Sequence, residues 1–177
     1  MPFKRLISLL KATISPRPPA LQVAALCHRG SGDRTEVLLI TSRGTGRWVL
    51  PKGWPIKGLS GAGAALREAY EEAGVEGEAG PEPVGRYAYD KILDSGLPLP
   101  CEAAVYAVRV TRMLERYPEQ GQRRLAWHSP VRAAELVAEP GLQTLLTGFR
   151  APEREVETRR SPGADSSPPA AAVGVMS

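Results

Sequence analysis

The stretch Gly53–Val75, GWPIKGLSGAGAALREAYEEAGV, decides how this chain reads. Ala62, Ala65, Leu66, Ala69 and Ala73 recur at helical spacing, Ser60 stands where an N-cap belongs, and Gly74 supplies the C′ stop. A helix is therefore predicted from Gly61 to Ala73. The two glycines in its first turn each weaken it by about 1 kcal/mol relative to alanine. The stripe of small residues, in return, lets the helix lie close to a sheet. At about 100° per residue, Glu68 and Glu72 fall on one stripe with Glu71 beside them. Like charges one turn apart repel, and acids in the last turn oppose the helix dipole by about 0.3–1 kcal/mol each. A helix that needed only solubility gains nothing from this arrangement. Something positive is missing from this cluster, and a divalent cation is the simplest candidate for it.

Working outward from that helix, the runs 21–28 (LQVAALCH) and 36–41 (EVLLIT) read as buried strands joined by a turn. WVLP is a short strand whose ladder Pro51 is expected to end, leaving Lys52–Leu59 as loop. Downstream, GEAGPEP (77–83) reads as loop, 84–93 as a strand, SGLPLP (95–100) as a turn, and 101–113 as the longest strand. A charged loop at 114–122 precedes a short strand, RRLAWHS. Ser129-Pro130 then starts a helix that runs to Pro140, and GLQTLLTGF forms a last helix. This order of strands and helices predicts an α/β (α+β) fold, a mixed sheet sandwiched between helices.

The domain itself is expected at 20–150. Residues 1–19, MPFKRLISLLKATISPRPP, are expected to form an extension, in which Phe3, Leu6, Ile7 and Leu10 have the spacing of a short amphipathic helix. Residues 151–177, rich in Ser, Pro, Ala and charge, are expected to be a disordered tail. The apolar run near the start is short, is broken by Ser8 and Lys11, and lacks an A-x-A cleavage site, which argues against export. No stretch is long and apolar enough to span a membrane. Cys27 and Cys101 lie in strand-like runs without metal spacing and read as buried thiols in a reducing, cytoplasmic setting. The net charge of +4 suits a small anionic substrate and argues against nucleic acid as the main partner.

Gly53, Arg67-Glu68-Ala69, Glu71-Glu72 and Gly74-Val75 resemble the Nudix hydrolase box, G-x5-E-x7-R-E-U-x-E-E-x-G-U, at the correct spacing from the first glycine to the arginine. RWVLPKG before the box and the Trp127 strand followed by a helix are also usual in that family. The resemblance covers roughly residues 20–149 and looks closest to the diadenosine polyphosphate and diphosphoinositol polyphosphate phosphohydrolase branch. It implies a Nudix-type sheet sandwich and a Mg2+- or Mn2+-dependent pyrophosphohydrolase. Glu68, Glu72, Glu71 and the Gly53 carbonyl would be metal ligands, and Glu71, Glu72 and Arg67 would belong to the catalytic set. One position departs from the pattern. Leu59 stands where the box has its first glutamate, which leaves Arg67 to pair with Glu71 at i+4 or with another acid.

The chemistry also follows from the residues alone. A diphosphate repels a nucleophilic water until its charge is neutralised, and hard divalent ions held by a few carboxylates accomplish that. A general base must reach the water; the candidates are a box glutamate or, outside the box, Glu115 or Glu119. Lys52, Arg47, Arg43, Lys57, Lys91 and Arg29 are cations near predicted strand ends and loops that suit a phosphate-rich substrate. His28 and His128 lack a paired ligand at metal spacing and read as structural, and Trp48 and Trp127 read as packing residues. The expected function is hydrolysis of a nucleoside- or inositol-linked diphosphate. The alternative is a non-catalytic module that binds such a ligand.

Overall fold

A computed structural model describes residues 18–151, so the expectations for the N-terminal helix and the C-terminal tail lie outside the described residues. Strands β1 (Ala20–Arg29) and β7 (Pro98–Met113) run parallel through the centre, in register from Ala20↔Cys101 to His28↔Arg109. Each has two different antiparallel partners at its two ends. β1 pairs with β4 (Lys52–Gly53) through Val23 and Ala24, and with β2 (Glu36–Thr41) through His28 and Arg29. β7 pairs with β6 (Gly85–Ile92) and, further along, with β5 (Val75–Ala79). β2 carries β3 (Trp48–Val49) and β8 (Leu125–His128), which completes a mixed eight-stranded sheet.

The central strands are buried on both faces, which is why they read as continuous apolar runs. Ala24, Leu26, Val37, Leu39, Ala103 and Val105 face α2 (Pro130–Leu136) and α3 (Pro140–Gly148), where Leu142, Leu146 and Phe149 fill the core. The alternate residues Ala25, Cys27, Leu38, Ile40 and Val108 face α1 (Gly61–Ala73). Cys27 and Cys101 are buried free thiols, and burial pushes the Cys27 thiol up to about 12.

Helix α1 has the predicted bounds. Ser60 Oγ accepts from the Gly63 N–H at 3.1 Å, and Gly74 closes the helix in the left-handed region at φ 65°. Its buried stripe is Ala64, Ala65, Ala69 and Ala73; Ala62 and Leu66 are only half-buried. Gly61 belongs in the first turn because a Cβ there would overlap the Tyr106 hydroxyl. The helix thus docks on β7 at a distance that only small residues permit.

Three local readings are corrected. Pro51 does not end the ladder: its carbonyl accepts from the Ala25 N–H at 2.9 Å, and the next two residues form β4 instead of loop. Val75–Ala79 is a strand, so only the second half of GEAGPEP is irregular. β7 begins at Pro98, inside the expected turn. Residues 98–100 pair with β6 alone, because pairing with β1 starts at Cys101, and a proline without an N–H is tolerated in such one-sided positions.

Candidate active site

The pairing of β4 with β1 carries Lys52 and Gly53 across the C-terminal half of α1, and the acids of the box meet them there. The Glu68 carboxylate lies directly against Gly53, in space that a Cβ at position 53 would overlap. Glu72 is buried, with one oxygen accepting from the Lys52 N–H at 3.0 Å and the other from the Arg123 guanidinium. Glu71 accepts from Arg67 Nε, the i+4 pairing that the absence of an acid at Leu59 allows. Leu59 itself is half exposed, in a turn closed by its N–H to the Ile56 carbonyl at 3.1 Å.

Arg123 ties this constellation together. Its side chain is buried, and it donates to Glu72, to Glu119 at 2.8 Å and to the Thr41 carbonyl at 3.0 Å. The loop 114–122 is fastened to α1 as well, by the Glu119 N–H to the Glu71 carbonyl at 3.0 Å.

The electrostatics follow from burial and crowding. Glu68 is pushed up to about 7, first by burial and then by Glu72, Glu71 and Glu119. Burial also raises Glu72, an effect opposed by Arg123 and by the Lys52 N–H and ammonium. Lys52 is held below the ordinary lysine range by burial, with Glu72 and Glu139 acting in the opposite direction. An acid as difficult to ionise as Glu68, beside two further carboxylates, is the electrostatic setting that a cation relieves.

These residues line a cleft of about 550 Å³ that also includes Arg43, Arg47, Lys91, Trp54, Tyr89, Gln22 and Glu139. Lys91 Nζ lies 4.7 Å from the centre of the Trp54 ring, and Lys52 Nζ 5.3 Å from that of Tyr89. Arg43 approaches Glu119 at 3.4 Å and Arg47 approaches Glu139 at 3.6 Å. Of the expected site residues, Glu68, Glu72, Gly53, Lys52, Arg43, Arg47, Lys91 and Glu119 line this cleft. Glu71 and Arg67 stand beside it on α1.

Three expected residues are not brought here. Lys57 is exposed in the loop before α1, and Glu115 is exposed away from the cleft lining. Arg29 sits at the far end of β1, paired with Glu36 at 2.7 Å and stacked 4.3 Å over Trp127, in a separate hollow with His28 and Arg109. β1 is long enough that its two ends serve different surfaces.

Arg123 and Glu139 were not singled out from the sequence. Arg123 lies in a run of charge and glycine, and Glu139 reads only as the residue before a helix-starting proline. Neither has a motif, because apart from Glu119 their partners Glu72, Thr41 and Arg47 lie far away in the chain.

The donor set suits a hard divalent ion: carboxylates on one rigid helix face, with the Gly53 backbone beside them. Among the described residues, no three acidic, His or Cys side chains converge at ligand distances, since Glu71 and Glu72 are held by Arg67 and Arg123. Glu68 makes no such ion pair and faces Gly53, so it is the acid of the three that has no cation partner among the described residues.

A sequence profile described as the NUDIX domain matches residues 18–147. Nudix hydrolase 12, mitochondrial, from Arabidopsis thaliana is 31% identical over 146 residues, which is 76% of this chain and 70% of that protein. Human diphosphoinositol polyphosphate phosphohydrolase 3-alpha is 38% identical over 68 residues, which is 38% of this chain and 42% of the human protein. The chain therefore spans less than half the length of that relative. The crystal structure of the C. elegans Ap4A hydrolase superposes with a TM-score of 0.52 at 16% identity, over 73% of this chain and 95% of that one, a likeness of fold.

Proposed function

The chain belongs to the Nudix hydrolase family, and from that membership we propose that it cleaves a diphosphate linkage, X–diphosphate–Y, by attack of water at phosphorus. The observation that carries this reading is the packing of the Glu68 carboxylate on Gly53 inside a cleft that is also lined by Lys52, Arg43, Arg47 and Lys91. Glu68, Glu72, Glu71 and the Gly53 carbonyl would hold Mg2+ or Mn2+. When bound, the ion would neutralise diphosphate charge, polarise the phosphorus–oxygen bond and lower the pKa of a coordinated water.

The remaining chemistry falls to the chain. Lys52, emerging from β4 next to Glu72, orients a phosphate oxygen, and Arg43, Arg47 and Lys91 bind the remaining phosphate charge on the open side. Glu119 lines the cleft and Glu115 does not, which supports Glu119 as the acid outside the box that would accept the water's proton. Arg123 would hold Glu119 and Glu72 in place. Arg67 positions Glu71. The relatives named for diphosphoinositol polyphosphates and Ap4A support a phosphoanhydride substrate, and the buried free thiols support a cytoplasmic setting.

The Arg67–Glu71 pair and Leu59 favour one second reading, a module that binds such a ligand without cleaving it. A product-resolved assay over a panel of dinucleoside polyphosphates, sugar nucleotides and inositol pyrophosphates, with Mg2+ and with Mn2+, separates the two. Release of a phosphorylated product is expected. Thermal stabilisation by a ligand without any product would support the module.

A further inference from the structure

Glu139 is a buried acid in the candidate active-site cleft that neither the box nor the phosphate-binding cations explain. It immediately precedes α3, a common place for a capping side chain, yet its carboxylate caps no helix N–H. Its side chain is only 9% exposed, and one oxygen has a single loose partner, Arg47 at 3.6 Å. The other oxygen, Oε2, is buried with no hydrogen-bond partner at all. A buried acceptor left unpaired costs about 1–3 kcal/mol, so such a group in a ligand cleft points to a donor that the free protein lacks.

The character of that donor follows from what surrounds it. The carboxylate lines the same cleft as Gln22 and Tyr89, and the Tyr89 hydroxyl donates to Gln22. Lys52 lines the same cleft, and Glu72 and Glu139 both favour its charged form against the effect of burial. Phosphate oxygens, which carry charge and bring no donor, would be repelled at this wall. N–H and O–H groups on a neutral body would satisfy Oε2.

We propose that Glu139 is a specificity-determining residue that accepts hydrogen bonds from the nucleoside end of the substrate and disfavours a second cluster of phosphates at this wall. The inference rests on the hydrolase reading for the position of the diphosphate, and it narrows X to a nucleoside over a polyphosphorylated ring. Discrimination of this kind is strong because a substrate lacking the donor leaves the acid unpaired, whereas one carrying phosphate adds repulsion.

The test is equilibrium binding, which needs no turnover. Affinities of the full chain for the α,β-methylene analogues of ADP and GDP, and for inositol hexakisphosphate, are measured by calorimetry with Mg2+ for wild type and Glu139→Gln. Glu139→Asp, which keeps the charge and withdraws it, serves as the second variant, and circular dichroism checks folding. We expect wild type to prefer one of the nucleotide analogues over inositol hexakisphosphate, and Glu139→Gln to shift that preference by about tenfold or more towards the inositol ligand. Glu139→Asp should weaken the nucleotide without favouring the inositol ligand. An unchanged ratio in Glu139→Gln, or a wild-type preference for inositol hexakisphosphate, overturns the proposal. Absence of hydrolysis by wild type would sink the hydrolase reading, while the binding ratio would still decide the role of Glu139.

Discussion

The carboxylate of Glu68 occupies the space in which residue 53 would carry a Cβ, so the first glycine of the box and its first helical acid are two halves of one device. Glycine at 53 is what permits this close approach, with no special backbone angle involved. Gly53→Ala is therefore expected to displace the carboxylate by a fraction of an ångström to about 1 Å while leaving the β4–β1 pairing intact. A shift of that size in a catalytic group costs about a hundredfold in rate. Steady-state kinetics with excess Mg2+, alongside circular dichroism, measure it. A variant that folds and turns over normally would show that Glu68 has room to move without consequence.

Arg123 is the buried hub between Glu72, Glu119 and the Thr41 carbonyl. Arg123→Met removes the charge but keeps most of the side-chain volume, leaving Glu72 buried with only the Lys52 N–H. Breaking one side of a buried pair costs about 3 kcal/mol or more. Urea unfolding of the metal-free chain should show that loss. Adding Glu72→Gln should recover part of it, since the uncompensated charge is then gone.

The pH dependence of stability follows from Glu68. Its carboxyl ionises near 4.5 in an unfolded chain and is pushed up to about 7 in the fold, by burial and then by Glu72, Glu71 and Glu119. Between those values the native state binds more protons than the unfolded state. Metal-free stability must therefore fall as pH rises through that window and level off above it. Thermal melts in chelator from pH 4.5 to pH 8, compared with those of Glu68→Gln, test the sign. The variant should lose that component of the slope. A wild-type contribution from Glu68 that rises with pH would contradict the burial argument.

Leu59 replaces an acid, but Arg67 has already found Glu71. An exposed pair of this kind is worth up to about 1 kcal/mol, so a new acid at position 59 has little to gain. Leu59→Glu is expected to change kcat/KM by no more than about fivefold, the rate equivalent of that energy. An inert wild type restored by the substitution would show that the missing acid had disabled the site.

Much of this arrangement was legible in the sequence because it is local. The bounds of α1 follow from Ser60, Gly74 and a 3.6-residue period, and the two-faced burial of β1 and β2 follows from their unbroken apolar runs. β4 and β5 were missed for a physical reason. Lys52–Gly53 and Val75–Ala79 carry almost no β-branched or aromatic residues, and their pairing is imposed by the neighbouring β1 and β7. The same limit applies within the site. Glu68, Glu71 and Glu72 announce themselves by spacing, whereas Arg123 and Glu139 acquire meaning only when α1, β2 and the loop after β2 bring Glu72, Thr41 and Arg47 to them. Arg29 misled for the converse reason, since a strand of ten residues carries its two ends to opposite surfaces.

The central claim, that carboxylates of α1 support metal-dependent cleavage of a diphosphate, is tested most directly by product-resolved hydrolysis with wild type and Glu72→Gln. The assay runs over a panel of diphosphates at saturating Mg2+, with Mn2+ and chelator in parallel. Product from wild type that disappears with chelator, and a loss of about a hundredfold or more in a folded Glu72→Gln, is the predicted result. Wild-type turnover that persists in chelator, or an undiminished rate in folded Glu72→Gln, would contradict it.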